Sequence, residues 1–497
     1  MKKNAKSKII SLLIGFTILC IFIGYAIADD TFLDENIVIT GYSSGNFWHC
    51  WPCDLDEDGD IDVIGSSSNG ISGGGKRGFL SWSENNGDGS SWTTHFVDDD
   101  QCGPVWAETA DMDDDGDIDV LCAARTISGV CSADHILFYE NDGSESFTMH
   151  YVKQGGYGAS YVVHTADFDD DGDLDCCGIS PYGHRCDWFE NTGNMDSWTQ
   201  HTVDVDDGKG HRGLAIGDID DDGYIDIIIG EGQGNKDLFW CENNGTGGGW
   251  SQTQIDSTLD APNTICTGDI DNDGDLDVLS GSYNIDGGFA WFNNTAGDGS
   301  SWTKHVVKDS GAGFRGCNVT DLDEDGDMDL LITFLNDDEL FWYENDGSES
   351  FTEHLINSSF GAACAIYPAD INGDSVLDVI GASDIAETWG KVSWWEQDYT
   401  PSINIEILSI NGLENESIIR DSTPTINWTR ISDTSQYWLQ IDNNVDFSSP
   451  EVNLTDINQW TYPSYFSQNS TRVSFTLPTI LTSYDKYYMR VRALIKN

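Results

Sequence analysis

The chain has 497 residues, with 86 Asp and Glu against 23 Lys and Arg, and its formal net charge is −63. This balance argues against nucleic acid or an anionic membrane surface as a partner, because both are bound by clustered Lys and Arg. Hydrophobic residues make up 39% of the chain, which is enough for a folded core and excludes an intrinsically disordered protein.

The first 28 residues have the three parts of an export signal. Four lysines stand among the first eight residues, an apolar run continues to Ala28, and Ala26-Ile27-Ala28 is an A-x-A cleavage site. We therefore predict that residues 1–28 are a signal peptide and that the protein is secreted or displayed at the cell surface. The apolar run is about as long as a membrane span, so an uncleaved N-terminal anchor is the alternative.

An acidic phrase of nine residues recurs seven times along the chain. Its first copy reads Asp54-Leu-Asp-Glu-Asp-Gly-Asp-Ile-Asp62, and the later copies follow at intervals of 49 to 57 residues. Two other phrases keep step with it: an aromatic-x-Glu-Asn phrase, first seen at Trp82, and an aromatic-Thr-x-His phrase, first seen at Trp92. Repeats of this period are typical of propellers and solenoids.

Each unit contains four short apolar runs that are too brief for helices and that read as strands. One precedes the acidic phrase, one follows it, and the other two phrases supply the third and fourth. Four-stranded units repeated around an axis make a β-propeller, and an open stack of units is the competing arrangement.

The ends of the array favour a closed ring. The seventh unit stops after Trp394-Trp395 without a fourth strand, and the segment from Phe32 to Val38 resembles the missing one. We therefore predict an all-β protein: a seven-bladed propeller over residues 29–398, followed by a smaller β-sandwich over residues 399–497.

The acidic phrase has the pattern of a loop that binds a hard cation. Alternate carboxylates at positions 1, 3 and 5 and an Asp at position 9 can converge on one ion only if the chain turns sharply, which Gly at position 6 allows. Position 7 would contribute its backbone carbonyl. The number of oxygen ligands favours Ca²⁺ over Mg²⁺, and up to seven ions are expected. The alternative is a solvated acidic surface adapted to high salt.

The predicted ligand positions are Asp54, Asp56, Asp58, Asp60 and Asp62; Asp111, Asp113, Asp115, Asp117 and Asp119; Asp167, Asp169, Asp171, Asp173 and Asp175; Asp218, Asp220, Asp222, Tyr224 and Asp226; Asp269, Asp271, Asp273, Asp275 and Asp277; Asp321, Asp323, Asp325, Asp327 and Asp329; and Asp370, Asn372, Asp374, Val376 and Asp378. The seventh loop departs from the pattern, because it has Asn372 at position 3 and Ser375 at position 6.

These phrases resemble the FG-GAP or VCBS repeat, as found in the N-terminal propeller of integrin α-subunits, over roughly residues 30–400. The resemblance implies Ca²⁺ held in the hairpin between the first two strands of each blade, with Asp54, Asp56, Asp58 and Asp62 as ligands in the first loop. The family includes adhesion and recognition proteins of the cell surface. Some similar Ca²⁺-containing propellers are polysaccharide lyases or sugar dehydratases, so the fold does not settle the function.

The last hundred residues lack the acidic phrase. Alternating segments such as Thr425 to Trp428 and Tyr437 to Ile441 read as half-buried strands. The phrase from Tyr487 to Ala493 resembles the penultimate strand of a fibronectin type III domain, and Trp428 fits the core tryptophan of that sandwich. The chain ends about where a final strand would begin.

A set of aromatic, cationic and carboxylate side chains stands near the starts of the innermost strands, where they would ring the mouth of the channel opposite the acidic loops. These candidate ligand-binding residues are Trp48, His49, Trp106, Glu108, Tyr161, His164, His211, Arg212 and Arg315. Such groups suit sugar binding, and a His/Arg/Glu set suits proton abstraction of the lyase type. The alternative is structural: the rings pack between blades and the arginines pair with surplus Asp.

Two other recurring features have structural interpretations. Five histidines occupy one strand position in five blades (His95, His150, His201, His305 and His354), and this periodicity favours a structural hydrogen bond. Cys50 and Cys53 have thioredoxin-like spacing but lie on a predicted strand, so they read as a structural disulfide or two independent thiols.

The sequence thus predicts an exported, Ca²⁺-binding recognition or adhesion module for an extracellular protein or glycan. The alternative is a polysaccharide lyase or related carbohydrate-active enzyme that uses the residues at the channel mouth.

Overall fold

The structure, a computed structural model, describes residues 31–398 apart from 34, 40–45, 69–77, 126–133, 157–160, 194, 196, 206–209, 233–235, 285–286, 312 and 385–389. Beyond residue 398 it describes seven strands only. The predicted signal peptide lies outside the described residues. Within the described part of the chain, no helix is long and apolar enough to cross a membrane.

Residues Thr31–Asp398 form one compact unit that contains seven four-stranded antiparallel sheets. The first strands of neighbouring blades contact one another in a complete circle, including the contact between the seventh blade and the first. These strands therefore line a central channel, and the fold is the predicted seven-bladed β-propeller rather than an open stack.

The strands run in chain order from the channel outward in blades 1 to 6. The chain begins with β1 (Thr31–Phe32) and β2 (Asn36–Ile39). Blades 1 to 3 comprise β3 (Phe47–Cys53), β4 (Asp62–Ser67), β5 (Gly78–Asn85) and β6 (Trp92–Gln101); β7 (Pro104–Ala110), β8 (Asp119–Ala124), β9 (His135–Asn141) and β10 (Phe147–Gln154); and β11 (Val163–Ala166), β12 (Asp175–Ser180), β13 (Arg185–Asn191) and β14 (Trp198–Val205).

The later blades follow the same plan. Blades 4 to 7 comprise β15 (His211–Gly217), β16 (Asp226–Glu231), β17 (Leu238–Glu242) and β18 (Ser251–Asp256); β19 (Pro262–Gly268), β20 (Asp277–Ser282), β21 (Gly287–Asn294) and β22 (Trp302–Gly311); β23 (Phe314–Thr320), β24 (Asp329–Phe334), β25 (Glu339–Asn345) and β26 (Phe351–Asn357); and β27 (Ala363–Ala369), β28 (Asp378–Ser383) and β29 (Val392–Trp395) with β2 as the fourth strand.

The N-terminal strand closes the ring, as predicted. β2 runs antiparallel to β29, with Asn36 opposite Trp394. The predicted segment from Phe32 to Val38 is divided between two pairings, however, because Phe32 lies in β1 and pairs with Gln397 in the short strand β30 (Gln397–Asp398). The two ends of the propeller are thus joined by hydrogen bonds rather than by the chain.

The core lies between successive blades. The second strand of every blade is buried along its whole length (β4, β8, β12, β16, β20, β24 and β28). Neighbouring blades cover both faces of these strands, which explains their continuous apolar runs. Trp82 of blade 1, for example, belongs to the same apolar cluster as Val120 and Tyr139 of blade 2.

The cysteines are mostly buried thiols. A disulfide joins Cys266 of β19 to Cys317 of β23, linking the innermost strands of blades 5 and 6, and Cys102 is also disulfide-bonded. Cys50 and Cys53 are both free. The disulfide interpretation of this pair is therefore wrong, because both residues lie on one extended strand, and the two residues are independent thiols.

The strands described in the C-terminal unit form two sheets. One has the order β31 (Ile407–Ile410), β32 (Thr425–Thr429), β36 (Arg472–Thr476), β35 (Phe466–Gln468); the other has the order β34 (Val452–Ile457), β33 (Gln436–Asp442), β37 (Tyr488–Leu494). The structure describes the backbone of these strands but not their side chains, including that of Trp428. A fibronectin type III-like sandwich therefore stays a prediction.

Candidate metal loops and channel mouth

Each acidic phrase forms the loop between the first and second strands of its blade, at the face where the innermost strands end. In all seven loops the first carboxylate accepts a hydrogen bond of 2.8–3.1 Å from the backbone N–H of the sixth residue. This bond forces a tight turn, in which φ at position 6 is 95–100° at six glycines and 70° at Ser375. Glycine is favoured there because it has no Cβ to clash.

Carboxylates converge within these loops. In at least five of them, oxygens from three aspartates lie within 4.8 Å of one another (Asp54, Asp56 and Asp58; Asp111, Asp113 and Asp115; Asp167, Asp169 and Asp175; Asp218, Asp220 and Asp226; Asp269, Asp271 and Asp273). Six loops also have a buried carboxylate oxygen without a hydrogen-bond partner among the described residues (Oδ1 of Asp54, Asp113, Asp169, Asp220, Asp271 and Asp321). Such oxygens fit a cation, so these clusters could bind metal.

The last aspartate of each loop anchors the loop to its blade. Asp62 accepts hydrogen bonds from the backbone N–H groups of Leu55, over 3.2 Å, and of Asn85 on the third strand, over 2.8 Å. The equivalent aspartates are buried, and burial raises the pKa of six of them to about 7 and that of Asp329 to about 8. A metal-free loop therefore holds a poorly solvated carboxyl group beside other acidic side chains.

The Asn of the aromatic-x-Glu-Asn phrase ties five of the blades to the one before. Asn243 in blade 4 donates from its side-chain amide to the carbonyl of Phe168 in blade 3 over 2.8 Å, and to Ile225 in its own blade over 3.1 Å. Asn85, Asn191, Asn294 and Asn345 make the same contact with their preceding blades. The recurrence of the Asn is thus explained by a bond between blades at five of the seven junctions, whereas Asn141 of blade 2 donates to Ile118 in its own blade.

The Glu of the same phrase lies beside the acidic loop, a position that the sequence alone did not reveal. Burial raises the pKa of Asp56, and the charges of Asp58 and Glu84 raise it further. Blade 5 has Asn293 at the position of the Glu, and its amide is hydrogen-bonded to Asp271. The strand therefore supplies an oxygen-bearing side chain next to the predicted ligands.

The recurring histidines have the predicted structural role in four blades. The ring Nε2 of His95, His150, His201 and His354 lies 2.7–3.0 Å from the Glu of the adjacent strand. Three of these rings also stack on a tryptophan, as His201 does on Trp188 with centroids 4.3 Å apart. His305 differs, because Asn293 replaces its Glu, and it lies 3.4 Å from Glu349 instead.

The nine predicted ligand-binding residues divide into three groups. Trp48, Tyr161, Arg212 and Arg315 line a cavity of about 40 Å³ where the innermost strands begin, together with Trp106. His49, Trp106 and His164 line a second cavity of about 210 Å³ in the channel. Glu108 is buried behind His164, and His211 is fully buried with its Nε2 3.1 Å from Asp204. His211 thus lies behind the mouth rather than in it.

The imidazoles in the channel are paired. His164 Nδ1 lies 3.0 Å from Glu108 Oε2, and His49 Nε2 lies 2.7 Å from the Tyr367 hydroxyl. Burial, together with the charge of His164, lowers the pKa of His49 to about 3. Tyr367 was missed by sequence reasoning, although it has the same place in blade 7 as Trp51 has in blade 1, one residue before a Pro on the innermost strand.

Two further residues at the mouth, Arg125 and Tyr283, also escaped sequence reasoning. Arg125 lies over the ring of Trp48 at 4.1 Å, and Arg212 lies over Tyr283 at 5.6 Å. Arg125 and Tyr283 each follow the second strand of a blade (β8 and β20), whereas the sequence prediction considered only residues near the start of a first strand. The first and second strands of a blade are antiparallel, so the end of the second strand lies beside the start of the first. This pairing is the signal that could have identified Arg125 and Tyr283.

A model of the FG-GAP-like repeat matches residues 111–178, 167–229, 218–280, 269–332 and 321–381, which together span more than half of the chain. The chain belongs to the FG-GAP-like repeat family. The matches begin at successive acidic loops, so they follow the same period as the blades of this FG-GAP-like propeller.

Two solved structures are similar to this FG-GAP-like propeller at low identity, and the first of them shares its fold. One, titled "Streptogramin B lyase structure", is 13% identical with a TM-score of 0.51, and the match covers 75% of this chain and 99% of that chain. Another, YCF48 from Cyanidioschyzon merolae, is 10% identical with a TM-score of 0.46 and covers 73% and 98%. No curated protein matches the sequence significantly. These likenesses concern the propeller fold alone.

Proposed function

We propose that this FG-GAP-like repeat protein is exported, binds Ca²⁺ in its acidic loops and recognises an extracellular protein or glycan at the mouth of its channel. The observation that carries the proposal is the convergence of Trp48, Tyr161, Arg212 and Arg315 around one cavity. Their strands belong to different blades, so only the closed ring brings them together. A C-terminal fibronectin type III-like module would serve as a spacer or a second binding surface.

The loops would hold Ca²⁺ through the aspartates at positions 1, 3, 5 and 9 and the backbone carbonyl at position 7. Converging carboxylates with buried, unpaired oxygens support this assignment, and flexible oxygen coordination favours Ca²⁺ over Mg²⁺. The bound ion would offset the repulsion among the carboxylates. The buried ninth aspartate of each loop would hold that loop on its blade through hydrogen bonds from backbone N–H groups, as Asp62 does. Recognition would then depend on a rigid propeller that holds the residues of the channel mouth, on the face opposite the acidic loops, in fixed positions.

A polysaccharide lyase or related carbohydrate-active enzyme is the second candidate. The pair of His164 and Glu108 beside the channel favours it, because an imidazole and a carboxylate 3.0 Å apart can move a proton. The side chains of Glu108 and His164 are only 5% and 17% exposed. These groups are poorly placed to reach a polymeric substrate, so recognition is the preferred function.

The test uses the full Ca²⁺-loaded chain in a binding screen against glycans and extracellular proteins, with a parallel assay for new reducing ends or unsaturated sugars. We expect binding without turnover, lost in Trp48→Ala and retained in Tyr151→Ala, a change on the outermost strand β10. Turnover that is lost in His164→Ala would establish the enzyme instead. Failure to bind any ligand in the screen would contradict the proposed function.

A further inference from the structure

The channel mouth concentrates arginine in a protein that has very little of it. The propeller residues 29–398 contain five arginines, and three of them, Arg125, Arg212 and Arg315, surround the mouth. Arg125 and Arg315 approach the ring of Trp48 at 4.1 and 4.9 Å. Arg212 lies between Tyr161 and Tyr283, at 5.8 and 5.6 Å.

These three guanidinium groups form no ion pair with a carboxylate among the described residues. Arg185, on blade 3, is the arginine of the described chain that forms an ion pair, with Asp187. At the mouth, the one protein hydrogen bond from a guanidinium to a described residue joins Arg125 to the Tyr161 hydroxyl over 3.4 Å. Asp384 lies near Arg315 and Arg125, but burial raises its pKa to about 6 despite both charges. Because a carboxyl group with this pKa is largely ionised at pH 7, Asp384 partly offsets the charges of Arg125 and Arg315, as the predicted alternative holds, but among the described residues it forms no ion pair with either.

The walls of the cavity of about 40 Å³ contain donors that lack acceptors. Trp48 Nε1, Trp106 Nε1 and Arg212 Nε are buried atoms without a hydrogen-bond partner in the described part of the chain, and all three residues line this cavity. Indole and guanidinium nitrogens can only donate. A buried donor without an acceptor costs free energy. A ligand that complements this set of donors therefore presents only hydrogen-bond acceptors to them.

The dimensions of the site limit the ligand. By a measure in which one water needs about 10–15 Å³, the cavity of about 40 Å³ holds about three heavy atoms, the size of one carboxylate group. The adjoining channel cavity of about 210 Å³ shares Trp106 and Arg315 with it and has room for one sugar ring. A formal net charge of −63 repels polyanions at long range, which favours a single charged unit at the mouth.

We propose that the mouth of the channel binds the carboxylate of a single acidic sugar unit, of the uronic acid class, through Arg125, Arg212 and Arg315. This inference rests on the proposed recognition function and names the class of its ligand. The carboxylate accepts hydrogen bonds from the guanidinium groups and the two indoles, and the sugar ring extends into the channel cavity. An acidic peptide is the competing class; the volume of the channel cavity, about 210 Å³, favours one compact ring over an extended backbone.

The test is calorimetric titration of the full Ca²⁺-loaded chain with digalacturonate and with its dimethyl ester, which has the same sugars without the charge. We expect the acid to bind at least tenfold more tightly than the ester. Arg212→Gln and Arg315→Gln should each weaken binding of the acid by roughly ten- to hundredfold, the range for hydrogen bonds to charged groups. Arg185→Gln is the matched control and should leave binding unchanged. Arg212→Lys keeps the charge but not the planar guanidinium, so it should weaken binding of the acid less than Arg212→Gln does. It replaces Arg212→Gln in the test if that variant does not fold.

The outcomes separate the two proposals. Equal binding of acid and ester, or no effect of the arginine changes, would overturn the carboxylate site and leave glycan recognition standing. Tighter, arginine-dependent binding of a peptide with a free C-terminal carboxylate than of its amide, in the absence of uronate binding, would overturn the sugar class. If digalacturonate does not bind while the wider screen finds another ligand, this inference fails alone; if the screen also finds nothing, both fail.

Discussion

The side-chain amide of Asn85 donates a hydrogen bond of 2.7 Å to the backbone carbonyl of Ile371, a residue 286 positions further along the chain. The same amide donates to Ile61 in its own blade over 3.1 Å. Ile371 belongs to the acidic loop of blade 7, so one side chain links the first and last blades at the seam of the ring. The Trp394 indole adds a second bond across this seam, to Gly89 over 3.3 Å.

Replacing Asn85 should weaken the seam. In Asn85→Ala one buried and one partly buried carbonyl lose their donor. Because an unsatisfied buried group costs about 1–3 kcal/mol, we expect the free energy of unfolding to fall by about 3 kcal/mol. Asn86→Ala is the control, since Asn86 is exposed and its amide bonds only to Ser91 within the same turn. Urea unfolding of both variants measures the difference; equal stabilities would show that the Asn85 side chain does not stabilise the ring.

The N-terminal strand offers a second matched pair. Ile39 is 2% exposed and packs in the cluster shared by blades 1 and 7, whereas Ile37, two residues earlier, is 51% exposed. Ile39→Asp buries a carboxylate without a partner and should destabilise the protein by about 3 kcal/mol or more. Ile37→Asp should change stability by less than about 0.5 kcal/mol. Thermal melts and limited proteolysis would reveal ring opening, and similar behaviour of the two variants would contradict closure by this strand.

Removal of Ca²⁺ should destabilise the propeller. A ligand present at 1,000 times its Kd contributes about 4 kcal/mol for each site, so EGTA in low salt should lower the melting temperature markedly. Added Ca²⁺ should restore the melting temperature. Added Mg²⁺ should not, because Mg²⁺ needs strict octahedral geometry. A melting temperature that EGTA leaves unchanged in low salt, or elemental analysis that finds essentially no bound calcium, would argue against structural Ca²⁺.

The seventh loop contains a strained residue that can be relieved. Ser375 has φ of 70°, where a side chain costs about 1–2 kcal/mol. Because glycine also gains about 0.4–1 kcal/mol of entropy in the unfolded chain, Ser375→Gly should stabilise the protein by a net of about 0.5–1 kcal/mol. Gly326→Ser, at φ of 100° in the sixth loop, should destabilise it. Denaturant unfolding of both variants shows whether each free energy of unfolding rises or falls as expected. If Ser375→Gly is less stable than the wild type, the serine side chain stabilises the loop and the prediction is wrong.

His49 should make the protein sensitive to acid. Burial lowers its pKa from 6.5 to about 3, so between these values the unfolded state binds a proton that the folded state does not. The contribution of His49 to stability is complete above about pH 6.5 and is lost as the pH falls toward 3. Between pH 7 and 5 this loss amounts to about 2 kcal/mol, and it should be absent in His49→Gln. Urea unfolding of the wild type and of His49→Gln at pH 7 and pH 5, with saturating Ca²⁺, measures this loss of stability. If the stability of the two proteins falls equally with pH, the role of His49 is refuted.

Much of the fold follows from local patterns. The acidic loop, the aromatic-x-Glu-Asn phrase and the aromatic-Thr-x-His phrase each occupy one hairpin or strand, so their spacing alone predicted four strands per blade and seven blades. The lone segment before the first unit also predicted closure, although only Asn36–Ile39 joins the blade and Phe32 pairs elsewhere. The hydrogen bond between the recurring His and its Glu, which forms in four of the five blades, was likewise foreseeable, because the two phrases lie on adjacent strands.

The channel mouth could not be read from the sequence in the same way. Trp48, Arg212 and Arg315 stand more than a hundred residues apart, and only the curvature of the closed ring decides which of their side chains meet. Arg125, Tyr283 and Tyr367 escaped notice for the same reason, while His211 proved to be buried behind the mouth. The sequence by itself determined the repeat, the strands and the loops, because these depend on neighbours along the chain. The tertiary structure decided which residues form a site, because that depends on distances across the ring.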